Sequence, residues 1–143
     1  MNRWRRTVEC EIKITRIAVH QITLPLIKPY RLSGGRLLYE ALDSTVVGVE
    51  TDAGVLGWGE GCPSGATCLP AFGMGVRAGL AEIAPGLLGQ DPRRLDVINS
   101  MMDTALPGHP YVKSALDMPA GTSSVSRPGS RYASSSVVVS MGR

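Results

Sequence analysis

The chain has 143 residues, 43% hydrophobic and 19% charged, with a formal net charge of +3. That is the size and balance of one globular domain, and with aromatics at only 5% its core has to come from Leu, Ile, Val, Ala and Met. The charge does not point to nucleic acid: Arg3, Arg5 and Arg6 open the chain and Arg127, Arg131 and Arg143 close it, whereas a nucleic-acid face gathers its cations on a folded element with aromatics interleaved.

Residues 1–10 read as a basic extension. Thr7, Glu9, Glu11 and Lys13 put polar groups directly after the opening arginines, so no apolar signal-peptide segment forms, and no stretch is long enough to cross a membrane. The three cysteines, Cys10, Cys62 and Cys68, are odd in number and lack framework spacing, which implies reduced thiols and a cytoplasmic protein. Cys62 and Cys68 have no second Cys or His pair to complete a zinc site.

From Ile12 the pattern becomes that of a strand. Ile12 and Ile14 alternate with polar residues, and Ile17 and Val19 alternate in the opposite phase. This predicts a strand with a bulge near Arg16, ended by Leu24-Pro25-Leu26. A loop rich in Pro, Gly and Ser then runs from Pro29 to about Arg36. Ser44 to Glu50 is β-branched and alternating, Thr51 to Gly54 is a turn, and Val55 to Glu60 returns, giving a three-stranded antiparallel meander.

Past Pro63 the period lengthens to that of a helix. Val76, Leu80, Ile83 and Leu87 share one face, with Pro85 placed to kink or end the helix. Asp91 as N-cap and Pro92 in the first turn predict a second helix, with Leu95, Ile98, Met101 and Met102 as its apolar side. Pro107-Gly108 breaks it, and His109-Pro110 opens a third helix through Val112, Ala115, Leu116 and Met118. Strands first and helices after predict an α+β domain over residues 11–118, with a three-helix layer on one face of a small sheet.

Residues 119–143 differ in composition. They contain no acidic residue, no Leu and no Ile, and every basic residue is Arg. Composition alone predicts a low-complexity, disordered tail. Codon arithmetic points further, to a shifted reading frame. Pro119 to Ser124 can be written CCT GCT GGG ACA TCC TCG; restoring one G in front gives GCC TGC TGG GAC ATC CTC, which spells Ala-Cys-Trp-Asp-Ile-Leu. That text continues the apolar spacing of the third helix.

Several segments carry a family resemblance. Lys13 to Ile17, the loop Lys28-Pro-Tyr-Arg-Leu-Ser33, the run Thr51-Asp52-Ala-Gly54 with Gly57-Trp-Gly-Glu-Gly61, and His109 to Met118 together resemble the capping domain of the mandelate racemase/muconate lactonizing enzyme group in the enolase superfamily. The resemblance covers about Ile12 to Met118. It implies an enzyme in which this domain is paired with a (β/α)₇β barrel. The barrel holds Mg²⁺, and a Lys or His base removes the proton α to a carboxylate, leading to racemisation, epimerisation, cycloisomerisation or dehydration. The implied partners are a small amino- or hydroxy-acid carboxylate and further copies of the chain, as family members are usually homo-oligomers.

Capping-domain loops in the family close over the barrel mouth. Carried onto this sequence, the first is Leu24 to Arg36, with Tyr30 and Ser33 as substrate contacts. The second is Gly57 to Cys62, with Trp58 as a pocket wall. The wording of the loops leans to enzymes of proline-type amino acids, such as cis-3-hydroxyproline dehydratase and hydroxyproline-betaine epimerase. The barrel, its metal ligands and its bases are absent from these residues, so the chain alone is expected to be inactive.

Each of these assignments competes with a plainer one. Trp58 could be a buried strand tryptophan, although Gly57, Gly59 and Gly61 permit close backbone approach and favour a pocket. Tyr30 could be an exposed loop residue without a ligand. Glu60 has no paired carboxylate, and His20 and His109 lack the partners of a catalytic or metal-binding histidine, so all three read as structural. Two other functions remain open: a stand-alone, non-catalytic binding module, and a nucleotide-binding domain through Gly73-Met74-Gly75, which with Ala78 fits a G-x-G-x-x-A spacing but does not follow a convincing buried strand.

Overall fold

The computed structural model describes residues 11–65, 67, 69–122 and 136–140. Three antiparallel strands precede three helices: β1 (Ile14–Leu32), β2 (Leu37–Thr51), β3 (Leu56–Gly61), α1 (Gly73–Leu87), α2 (Leu95–Ala105) and α3 (Pro110–Thr122). The α+β layering expected from the sequence is the one observed.

The expected bulge near Arg16 is present. Ile14 pairs with Thr51 and Arg16 with Glu50, so the register shifts between them. The shift turns Ile14, Ile17 and Val19 to the same side, where all three are buried. They meet Val47 and Val49 of β2 and, from the helices, Val76, Leu80, Ile83, Leu87, Ile98, Met102, Val112, Ala115 and Leu116. The start of β1 is anchored to the turn after α1, with the Ile14 amide donating to the Gln90 carbonyl at 2.9 Å and the Gly89 amide to the Ile14 carbonyl at 2.8 Å.

Several boundaries differ from the sequence expectation. β1 does not end at Leu24-Pro25-Leu26 but pairs with β2 as far as Leu32↔Leu37, so the first half of the expected loop belongs to a two-stranded arm and only residues 33–36 form its turn. Pro29 falls where the ladder is interrupted, between Pro25↔Ala41 and Tyr30↔Tyr39, so no amide donor is required of it, and Pro25 is the last pair before that break. α1 continues through Pro85, which lies on its exposed side while Ile83, Ala84 and Leu87 hold the last turn in the core. α2 starts at Leu95 with Arg94 before it, not at Asp91. Asp91 instead accepts from the Arg93 amide at 3.0 Å and from the Arg93 guanidinium, in a turn closed by the Arg94 amide on the Asp91 carbonyl at 3.1 Å.

α3 extends past Met118 through Pro119 to Thr122. A fourth strand, β4 (Ser136–Ser140), pairs antiparallel with β1 from Arg16↔Ser140 to His20↔Ser136, giving the sheet order β3-β2-β1-β4. The disordered tail expected from residue 119 is therefore interrupted twice. A run of β-branched Val137 to Val139 suits a strand, and the outer edge of β1 offers unpaired backbone groups to receive it. The rest of that stretch, and the basic extension of residues 1–10, lie outside the described residues.

Candidate functional site

The sheet has two different faces because side chains alternate along each strand. One face carries Ile17, Val19, Thr45, Val47, Val49 and the three glycines of β3, and it is covered by helices. A Cβ on Gly59 would run into the Ala115 carbonyl and the Pro119 ring, and one on Gly57 into the Pro119 carbonyl. The close approach permitted by these glycines is thus taken up by α3. It does not form a ligand pocket, which removes the support the glycines gave to Trp58 as a wall.

Trp58 points to the other face. It is not the buried strand tryptophan of the plainer reading: 42% of its surface is exposed. Its ring lies over Gly48, its partner on β2, where an added Cβ would come within 2.9 Å of a ring carbon. The His20 ring from β1 sits 6.1 Å away, centroid to centroid, tilted by 44°. Glu60 shares this face and accepts a hydrogen bond from the Ser44 hydroxyl at 2.5 Å. Trp58, His20 and Glu60 form a polar-aromatic surface opposite the helices, with Ser44 buried beneath it.

Tyr30 and Ser33 are elsewhere. Beyond the row Ile22↔Ser44, β1 and β2 leave the body and project as the arm, residues 23–42, with its tip at Ser33–Gly35. Arm side chains are largely exposed, among them Leu24, Tyr30 and Leu38, and Ile27 at the interrupted register is as open as in a free peptide (103%). At the tip Ser33, Gly34 and Gly35 have φ of 53°, 66° and 89°, a left-handed run that glycine adopts freely and serine does not. Tyr30 pairs with Tyr39, and Trp58 with Gly48. Those rows are nine residues apart along β2, roughly 30 Å at strand rise. The structure brings Tyr30 and Ser33 together on the arm and keeps Trp58 apart from them.

Contacts at its root and further out tie the arm to the body. At its root Arg77 of α1 grips Asp43 with both guanidinium nitrogens, Nη1 to Oδ1 and Nη2 to Oδ2, each at 2.9 Å. Arg77 Nη1 also donates to the buried Thr45 hydroxyl at 3.2 Å, and Gln21 Nε2 donates to Asp43 Oδ1 at 3.0 Å. The Arg77 hydrogen bonds hold the Asp43 carboxyl below the usual carboxylate range, against a smaller opposing effect of burial. Further out, the hydroxyls of Tyr39 and Thr67 lie 2.9 Å apart, and Gly65 packs so closely on the Tyr39 ring that a Cβ would come within 2.9 Å of it.

Sequence reasoning did not single out Asp43 or Arg77. The one available signal was a lone arginine next to Val76 on the apolar side of α1, but only folding supplies its partner 34 residues away. Cys62, at the start of the loop after β3, is a free, half-buried thiol. Burial pushes its pKa up, and the Glu60 and Asp43 charges add to this against an opposing Ser44 hydrogen bond. A cavity of about 450 Å³ opens between Pro70–Phe72 and His109–Val112, with His109 on its rim at φ 50°.

Gly73-Met74-Gly75 starts α1, but the strands here are antiparallel and a loop, not a parallel strand, leads into the helix. The Asp43 carboxylate also stands where a Cβ on Gly73 would be, which would repel a phosphate at that helix end. The nucleotide-binding reading is therefore set aside. Among the described residues no group of three or more His, Cys, Asp or Glu side chains is arranged to hold a metal ion, so these residues do not fit the Mg²⁺ that the resemblance implies.

The family pattern described as "Mandelate racemase / muconate lactonizing enzyme, N-terminal domain" matches residues 14–120. The chain belongs to this family. The cis-3-hydroxy-L-proline dehydratase of Roseibium aggregatum is 49% identical over 108 residues, 75% of this chain and 29% of that protein. The N-succinyl-L-Arg/Lys racemase of Bacillus cereus is 34% identical over 107 residues, 75% of this chain and 28% of the relative. Among solved structures, an enolase-superfamily member from Roseovarius nubinhibens complexed with magnesium is 56% identical with a TM-score of 0.70, covering 76% of this chain and 29% of that one. The chain thus spans less than a third of each relative's length, and what it shares with them is the N-terminal domain of the mandelate racemase/muconate lactonizing enzyme family. Among the described residues no helix is long and apolar enough to cross a membrane.

Proposed function

We propose that this domain is the substrate cap of a Mg²⁺-dependent enzyme that removes the proton α to a carboxylate, with metal ligands and base supplied from outside these 143 residues. The observation that carries this reading is the arm. Residues 23–42 present Leu24, Ile27, Tyr30 and Leu38 to solvent, and among the described residues no helix lies beneath them and no third strand beside them. An isolated chain gains nothing by exposing such a hairpin, whereas a lid that excludes water from a reaction centre needs one.

In this reading Tyr30 and Ser33 at the arm tip touch the distal part of the substrate. The left-handed serine supports the assignment, because backbone strain of this kind concentrates at ligand clamps. Trp58, with His20 and Glu60, forms the surface that faces the catalytic domain. The identity to a cis-3-hydroxy-L-proline dehydratase supports a proline-type amino acid as substrate, with dehydration or epimerisation as the outcome. We place the protein in the reducing cytoplasm on the strength of its odd cysteine count and the free Cys62 thiol, and as a homo-oligomer by analogy with the family. We read the composition change after Met118 as a shifted frame, and sequencing the gene across codon 119 decides that point.

A chimera tests the main proposal. Residues 14–120 of this chain replace their counterpart in the Roseibium dehydratase. Turnover of cis-3-hydroxy-L-proline by the chimera is expected, together with a raised KM when Tyr30→Ala or Ser33→Ala is added. A folded chimera that binds Mg²⁺ without turnover would overturn the reading. The unfused chain with Mg²⁺ and the same substrate is expected to show no turnover, and measurable activity there would overturn it as well.

A further inference from the structure

The geometry points to a pivot and a latch in the arm: the Asp43–Arg77 fork is the fixed axis on which the arm turns, and the Tyr39–Thr67 contact is the catch that releases it. The inference deepens the reading of the arm as a cover and rests on it.

Asp43 marks the place where the fold changes thickness. One row earlier Ser44 is buried, and the row before that joins Gln21, Thr45 and Gly61 across all three meander strands, with α1 alongside. From the row Thr23↔Asp43 outward β3 has ended, and only β1 and β2 continue. A two-stranded ribbon leaving a layered body has a bending point at that junction, separate from the ladder break between Pro25 and Tyr30, because the rows on either side differ in how many neighbours resist the bend. Arg77 is fixed there from two directions: it belongs to α1, whose Val76 and Leu80 are in the core, and it also bonds Thr45 inside the body. Its planar fork fixes both the position and the orientation of the Asp43 carboxylate. Gly73 leaves the space into which that carboxylate fits.

The second tie is different in kind. Tyr39 and Thr67 make one hydrogen bond, exposed to solvent, between the arm and the loop that follows β3. Water can replace either partner at little cost. Among the described residues four hydrogen bonds converge on the Asp43–Arg77 cluster, whereas the catch has one, with Gly65 packed against the Tyr39 ring, so the catch gives way first and the arm swings about the root. Asp43 and Arg77 are in this sense positioning residues, since they set the path of Tyr30 and Ser33 without touching a substrate.

Nitroxide distances in the whole chain test this without substrate. Arg36→Cys and Ser100→Cys label the arm and α2, and Ala53→Cys with Ser100→Cys reports on the body, each with the native cysteines changed to Ser. Y39F is expected to raise the detached arm population about two- to tenfold, the worth of one exposed hydrogen bond, as a second discrete distance. R77M is expected to spread the arm distances into a broad continuum while the body distance stays single, and R77K, which keeps the charge but not the fork, should fall between. A single unchanged arm distance in Y39F refutes the latch. Sharp discrete distances in R77M, or in R77K should R77M fail to fold, refute the pivot. Because no substrate is present, failure of the covering role in the chimera would leave these distances unaffected, and the two ideas fail separately.

Discussion

Gly59→Ala places one methyl group between β3 and α3 and tests whether those layers touch as described. A Cβ at Gly59 has the Pro119 Cδ at 2.5 Å and Cγ at 3.1 Å, with the Ala115 carbonyl nearer still. None of these atoms is the end of a flexible side chain; one is helix backbone and the others belong to a ring inside the helix. Relief therefore requires α3 to move away from the sheet, which loosens Ala115, Leu116 and Val112 in the core. Overpacking of this kind costs about 1–3 kcal/mol, and the rigidity of the neighbours puts Gly59→Ala near the upper end. The alanine also lowers the entropy of the unfolded chain, which offsets about 0.4–1 kcal/mol. A net loss of about 2 kcal/mol lowers the melting temperature by roughly 8–16 °C for a domain of this size.

Gly86→Ala is the control. It lies in α1 with nothing within 4 Å of its Cβ position and no left-handed φ, so the same substitution should stabilise by about 0.5–1 kcal/mol. Urea titration followed by far-UV circular dichroism measures both. If Gly59→Ala stays within about 0.5 kcal/mol of the parent, the range of ordinary surface substitutions, the packing of α3 on the β3 glycines is wrong, and with it the reason Trp58 faces away from the helices.

Gly48→Ala should push the Trp58 ring off the sheet, since the added carbon would lie 2.9 Å from it; in a Trp4→Phe background the emission of Trp58 is expected to shift to the red, and an unchanged spectrum would contradict the stacking. The Asp43 carboxyl is held below its ordinary value chiefly by Arg77, so its contribution to stability is present above the unfolded-state pKa of about 3.9 and is lost as pH falls through the lower folded value. With 42% of the Asp43 side chain exposed, solvent screening limits this to at most about 1 kcal/mol. Asp43→Asn should therefore flatten part of the loss in urea midpoint between pH 5 and pH 2, read against the parent chain. Burial pushes the Cys62 thiol up, so in a Cys10→Ser, Cys68→Ser chain iodoacetamide at pH 8 should react more slowly in buffer than in urea; equal rates would show an open thiol.

The sequence by itself determined the kinds of element and their order. Alternation set β2 and β3, the reversal of phase around Arg16 located the bulge, and the spacing of Val76, Leu80, Ile83 and Leu87 set the inner face of α1, because each pattern is read within a few residues of chain. Only the tertiary structure decided where elements stop and what faces what. β1 runs on through Pro25 to Leu32 because β2 returns beside it, and Pro119 stays helical because the glycines of β3 receive it. The same three glycines allow either a ligand or a helix to approach, and choosing between them requires knowing that α3 lies on that side. Asp43 and Arg77 are 34 residues apart, and no local pattern records their pairing. Periodicity is a property of neighbours along the chain, whereas a hinge or a pocket wall depends on neighbours in space.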